Sequence, residues 1–202
     1  MLTSKRIKNF KPFIFILLFI PSLIWIYQFI NGDLGVNPIE KLMDLFGEMA
    51  LRLIITTLFI SSLADFKNLK SLSTLRRMVG LFAFFYVLLH FSTYIFLDHY
   101  LDLNFIIKDI VKRPFILFGF ISFVFLIPLA LTSRDNIIKK LGFKIWKRLH
   151  YLIYPAAILS SIHFYMLVRA NKIEPLIYII IIALLLLYRF YKKIILPLLA
   201  PQ

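Results

Sequence analysis

The chain has 202 residues, 61% of them hydrophobic, with a formal net charge of +14 and no cysteine. Soluble domains are about 45–50% apolar, so this composition, with a mean hydropathy of +0.86, excludes a soluble fold and requires a lipid bilayer. The missing thiols exclude disulfides, thiolate zinc sites, iron–sulfur clusters, thiol catalysis and c-type haem attachment, which leaves histidine as the main metal-ligating side chain.

Along the chain, the basic tail from Met1 to Lys11 runs into an apolar stretch with no small-residue cleavage site after it. It is read as leading into a retained first helix rather than as a cleaved signal. A transmembrane helix needs about 20 mostly apolar residues. Six windows qualify, at 12–30, 45–64, 79–97, 115–132, 149–168 and 175–196. The expected fold is therefore an all-α integral membrane protein, a six-helix bundle forming a single domain over 1–202. The second window contains Glu48 and Arg52, four apart, which can pair on one helix face as a structural ion pair or as a proton route for quinol oxidation. Trp25, Tyr27, Trp146 and Tyr154 fall near window ends, where interfacial anchors sit. The windows share no internal repeat, which gives an inverted-repeat transporter no support.

Of the 24 Lys and Arg, four lie in the N-terminal tail, four in the second loop, six in the fourth and three at the end of the last window. Six lie on the other side, and Arg52 is inside a window. By the positive-inside rule the richer side is cytoplasmic, so both termini are expected there. Cations placed in this way answer anionic lipid headgroups rather than nucleic acid. Arg76-Arg77 and Lys144-Ile145-Trp146-Lys147-Arg148 form a cytoplasmic rim. That rim suits topology and headgroups, or contact with a propionate, a flavin phosphate or a quinone.

Four histidines remain. His99, beside Asp98 and Asp102, is read as a solvated loop residue. His90 lies well inside the third window, His163 inside the fifth, and His150 opens the fifth after Lys147-Arg148. An ionisable residue inside a membrane helix is a functional-site hypothesis by default; an interhelical hydrogen bond to Ser or Thr is the plainer alternative. Both helices run outward. At about 1.5 Å per residue, His90 lies about 16 Å along its helix and His163 about 21 Å along its own. They can face each other in the outer half of the bundle, as two imidazoles on opposite sides of a b-type haem do. His150 falls roughly 20 Å below His163. On an ideal helix the two would be about 140° apart, with Pro155 between them able to kink it.

The pattern resembles the ferric reductase-like transmembrane superfamily, which includes NADPH oxidases and ferric reductases. It is most similar to the MsrQ (YedZ) branch, the haem-bearing membrane subunit of a periplasmic methionine sulfoxide reductase system. The resemblance rests on the 32–38 stretch Gly-Asp-Leu-Gly-Val-Asn-Pro, on Leu75-Arg76-Arg77-Met78-Val79-Gly80-Leu81, and on Leu89-His90. It continues through Lys112-Arg113-Pro114, Leu131-Thr132-Ser133 and Trp146-Lys147-Arg148-Leu149-His150, and so covers nearly the whole chain.

It implies haem ligation by His90 and His163, with His150 near a second, cytoplasm-side haem position. It implies one or two b-type haems, FMN, electrons drawn from the membrane quinone pool, and delivery to a periplasmic molybdopterin reductase like MsrP. The location implied is the bacterial inner membrane. Oxidases of the superfamily carry two histidines fourteen apart on the third helix; here Arg76 stands fourteen before His90. Fourteen residues return to within about 40° of the same face. Guanidinium is a poor iron ligand but a good partner for a propionate or phosphate, so the inner site is expected to be incomplete, weakly bound or helped by Arg76. No Gly-rich phosphate loop follows a strand anywhere, so no nicotinamide domain is expected, and no catalytic residue. The alternatives are a stand-alone transmembrane metalloreductase and a haem-free transporter or scaffold.

Overall fold

The computed structural model describes residues 4–199. The side chains of the tail cations Lys5, Arg6 and Lys8 and of the loop cation Lys67 lie outside that description. Among the described residues the chain is helical, with no strand.

The first helix, α1 (Ser4–Ile30), begins earlier than its apolar window, because the polar tail continues the helix. A tight turn follows in which Gly32 and Gly35 adopt φ of 77° and 86°, the left-handed region that side chains with a Cβ avoid. Pro38 then opens α2 (Pro38–Leu63), at a position where its missing N–H needs no partner. A 3-10 turn at Lys67–Leu72 leads to α3 (Ser73–Ser92), which runs on into a π-helical turn at Thr93–Asp98. Three shorter elements fill the connections: α4 (Leu103–Lys112), capped by the Asp102 carboxylate on the Phe105 N–H, α6 (Asp135–Leu141) and α7 (Phe143–Leu149). Between α4 and α6 runs α5 (Pro114–Leu131). A 3-10 turn at His150–Leu152 precedes α8 (Ile153–Leu167). The chain closes with α9 (Ile173–Phe190), a π turn at Tyr191–Ile195 and α10 (Leu196–Leu199).

Among the described residues, four helical stretches are long and apolar enough to cross a membrane: Asn9–Ile30, Leu69–Asp98, Pro114–Leu131 and Ile173–Leu198. The windows at 45–64 and 149–168 fall on α2 and α8. α2 carries Glu48 and Arg52, and α8 has only 15 residues.

Within the fifth window the helix tightens into a 3-10 turn at His150–Leu152 and continues as α8 without interruption. A 3-10 turn advances differently from an α-helix, so an ideal-helix angle between His150 and His163 does not apply.

α2 is the hub of the bundle. It packs most extensively against α3, as α5 does against α8, and it also meets α1, α8 and α9. Its Phe46, Ile54 and Leu58 are fully buried with Tyr86 of α3. The Tyr86 hydroxyl donates to the Leu18 carbonyl of α1 at 2.6 Å, which satisfies the one polar group in that cluster. Trp25 packs edge-on against Phe46 and Tyr86. It is partly buried, at the edge of the core. Thr56, Thr57, Ser61 and Ser62 return their hydroxyls to carbonyls one turn back along α2, so they need no outside partner in an apolar medium. On the outer face of α9, Leu176, Ile180, Leu184 and Leu187 are exposed one turn apart. A soluble monomer rarely shows such a stripe, whereas lipid accepts it.

Candidate functional site

The bundle contains two cavities, one at each end. The larger, of about 1020 Å³, is lined by His90 on α3 and His163 on α8 together with Met43, Gly47, Phe91, Phe115, Gly119 and Phe123. The two imidazole ring centres are 6.2 Å apart and their planes cross at 80°. His90 Nδ1 lies 2.8 Å from the Met43 carbonyl of α2, and His163 Nδ1 lies 2.6 Å from the Phe115 carbonyl of α5. A carbonyl only accepts, so in each ring Nδ1 carries the proton and Nε2 keeps its lone pair. Neither Nε2 has a hydrogen-bond partner among the described residues.

This is the ring tautomer that binds a metal through Nε2 with its other nitrogen anchored. The spacing agrees. With ring centres 6.2 Å apart, a metal could lie between the rings within about 2.0 Å of each Nε2 if both nitrogens turned toward it. Among the described residues no group of three or more His, Cys, Asp or Glu could cage a bare ion. Two imidazoles supply two coordination positions, so a metal held here brings its other ligands with it, as the macrocycle of a haem does. The aromatic wall provides apolar surface for such a ring.

The rim of this cavity is polar and mostly acidic, with Glu40, Asp44, Glu48, Asp98, Asp109 and Glu174 facing Arg113 and Arg169. His99 lies behind this rim, against Asp98 and Asp109, and is not a solvated loop residue. Its side chain is 12% exposed, and its Nε2 lies 3.4 Å from the buried Asp109 carboxylate. Asp109 also accepts from the Tyr94 hydroxyl at 3.0 Å and from Arg113 Nε at 2.7 Å. Tyr94 is therefore committed to Asp109, and Thr93 donates back to the Leu89 carbonyl. The Glu48–Arg52 pair forms as its spacing suggested, at 2.8 Å. Arg52 also reaches Glu174 and the Tyr178 hydroxyl on α9, two partners that lie more than a hundred residues away.

The second cavity, about 610 Å³, is lined by Lys11, Arg76, Arg77, Lys147, His150, Arg189 and Lys193, with no acidic residue. His150 Nδ1 donates to the Trp146 carbonyl at 3.0 Å, and the Trp146 ring lies over it with centres 4.1 Å apart. By the same logic its Nε2 is the free nitrogen. No second histidine lines this cavity. Arg77 is engaged by Asp135 at 2.6 Å, whereas Arg76 has no ion-pair partner among the described residues and faces Arg189. Arg189 donates to the Tyr154 hydroxyl, but its Nε is buried with no acceptor. Sequence spacing did not point to Arg189, because it lies in the last helix among lipid-facing residues. The structure thus brings His90 to His163, and Arg76 to His150, at opposite ends of the bundle.

Residues 46–161 match the ferric reductase like transmembrane component family. Proteins described as the protein-methionine-sulfoxide reductase heme-binding subunit MsrQ, from Brucella ovis, Brucella canis and Brucella abortus, are each 44% identical to this chain over 174 residues. The alignments cover 86% of this chain and 78% of each relative. The chain belongs to the MsrQ family. Of the four histidines, His90, His99 and His150 lie within the ferric reductase-like match, and His163 follows its end by two residues.

Proposed function

We propose that this chain is the haem-bearing electron-transfer subunit of a system that reduces methionine sulfoxide in oxidised proteins, the chemistry on the sulfoxide being carried out by a molybdopterin partner on the far side of the membrane. In this reading the chain spans the bacterial inner membrane six times as one domain, with both termini cytoplasmic and the His90–His163 cavity toward the periplasm. Electrons come from membrane quinone.

The observation that carries the reading is the histidine pair: two rings 6.2 Å apart, each with Nδ1 tied to a carbonyl. A haem bound between them supplies one-electron transfer. His90 and His163 would hold its iron, and their carbonyl partners keep both rings in the ligating tautomer. Phe91, Phe115 and Phe123 line the cavity with apolar surface. At the other end His150 marks a second haem position, with Arg76 where relatives in the superfamily carry a histidine. The Lys and Arg around it suit a propionate or the phosphate of FMN.

The test is a redox spectrum of purified protein with His90→Ala, His150→Ala and His163→Ala. Loss of His90 or His163 removes most low-spin haem, and loss of His150 removes less. Equal loss in all three contradicts the asymmetry between the two ends. Wild-type protein without a dithionite-sensitive Soret band overturns the reading in favour of a transporter or scaffold. Reduction of external ferric chelates with no transfer to a sulfoxide-reducing partner favours a stand-alone metalloreductase.

A further inference from the structure

The surroundings of His90 and His163 follow one rule on two different helix pairs. His90 donates to the carbonyl of Met43, and four residues on along α2 stands Gly47. His163 donates to the carbonyl of Phe115, and four residues on along α5 stands Gly119. In an α-helix the carbonyl of residue i already receives the N–H of residue i+4. The Cα–Cβ bond tilts toward the helix N-terminus, so the side chain that covers that carbonyl from outside is the one at i+4. With glycine at i+4 the carbonyl is bare, and a side chain from a neighbouring helix can reach its second lone pair.

The distances show how tightly each imidazole uses that opening. A Cβ placed on Gly47 would stand 2.9 Å from His90 Nδ1 and 3.1 Å from its Cε1. One placed on Gly119 would stand 2.9 Å from His163 Nδ1, 3.0 Å from Cε1 and 3.1 Å from Cγ. The two 2.9 Å distances are closer than a real Cβ approaches and the others are tighter than most, and the closest atom in each ring is the nitrogen that makes the hydrogen bond. Gly80, in the same α2–α3 interface, differs: a Cβ there would meet Thr57 at 3.6 Å, an ordinary contact.

We propose that Gly47 and Gly119 are the positioning residues of the two imidazoles: by leaving the Met43 and Phe115 carbonyls uncovered, they set the tautomer and the crossed planes in which His90 and His163 present Nε2. This rests on the haem reading above and goes beyond it, because it assigns the orientation of both ligands to two residues that carry no functional group. A methyl at either position pushes the ring off its carbonyl, frees Nδ1 to lose its proton or its direction, and rotates the ring about its own axis.

The experiment compares Gly47→Ala, Gly119→Ala and Gly80→Ala in the full-length protein purified in detergent. It reads haem per protein, the optical spectrum and the ferric low-spin electron paramagnetic resonance signal. That signal reports the angle between axial imidazole planes and is most anisotropic when they cross near a right angle. Gly47→Ala and Gly119→Ala each lose at least half of the low-spin haem or abolish the strongly anisotropic signal, and Gly80→Ala, at the other end of the α2–α3 interface, keeps that signal. Wild-type haem content and an unchanged signal in both variants overturn the proposal.

Alanine forms helix better than glycine, so a purely helical role predicts variants that accumulate well and keep their spectra. Should Gly47→Ala or Gly119→Ala fail to accumulate, the double variants Gly47→Ala/His90→Ala and Gly119→Ala/His163→Ala decide. Recovery to the level of the single histidine variant supports the clash with the ring, and continued failure overturns it. A wild-type protein with no Soret band sinks the haem reading itself, whereas haem-replete wild type with undisturbed glycine variants sinks only the assignment of the glycines.

Discussion

Asp109→Ala tests the polar rim beside the histidine cavity. The Asp109 carboxylate is 6% exposed and takes hydrogen bonds from Tyr94 and from Arg113, with His99 beside it. These contacts fasten α4 to the π turn that continues α3. Arg113 is 54% exposed, so it rehydrates when its partner is removed, and that loss costs at most about 1 kcal/mol. Tyr94 is buried, and a buried hydroxyl left without its acceptor costs about 1–3 kcal/mol. Together the change is about 1–4 kcal/mol. In a chain of this length each kcal/mol lowers Tm by about 2–4 °C, so Asp109→Ala lowers it by about 2–16 °C. The assay is thermal unfolding in detergent, followed by the fluorescence of Trp25 and Trp146. Adding Tyr94→Phe removes the orphaned hydroxyl and restores about 1 kcal/mol, giving a non-additive double-mutant cycle. A fall in Tm under about 2 °C, or simple additivity of the two substitutions, refutes the assignment of Asp109 as the buried acceptor of this network.

Two further outcomes follow from the packing and the surface charges. Ala156 and Ala157 of α8 are fully buried, and the Ala156 carbonyl accepts from Ser122 of α5 at 2.9 Å. Ala156→Leu overpacks this contact and destabilises by about 1–3 kcal/mol; unchanged Tm with full haem content would show that α5 and α8 do not meet there. On the surface, the Arg77 hydrogen bond holds the Asp135 carboxyl below its ordinary pKa of 3.8. A depressed folded-state value means that the pair contributes above the ordinary value and that the contribution fades as pH falls through the lowered one. Wild type is therefore slightly more stable than Asp135→Asn at neutral pH, with the gap closing in the acid range; a gap that widens there contradicts the sign.

The membrane class and the α-helical architecture were legible because hydropathy and run length alone determine them. His90 and His163 were legible as facing residues because counting along two helices that run the same way gives depth without any tertiary information. The 3-10 turn at His150–Leu152 was not, since the apolar run continues across it and nothing in the local pattern marks the change of helix type. His99 was misread for a related reason. Its partner Asp109 sits on α4, a ten-residue amphipathic helix too short to register in a span search, so the third loop looked open. The extra partners of Arg52 depend on α9 lying beside α2, which no local spacing encodes. Gly47 and Gly119 drew no notice because a glycine in an apolar helix normally signals close helix contact. What they uncover here is a carbonyl.

His90 and His163 belong to different halves of the molecule. His90 and its acceptor lie on α3 and α2, His163 and its acceptor on α8 and α5, and these are the two most extensively packed helix pairs in the bundle. Each pair can therefore assemble as a finished module bearing one of the two imidazoles. A group that bridged the imidazoles would work as a rivet between the modules, and the part of its binding free energy that needs both rings would become cohesion between the halves. On the haem reading proposed above, cofactor supply would set how firmly the bundle is closed, and the lifetime of the assembled protein would depend on it.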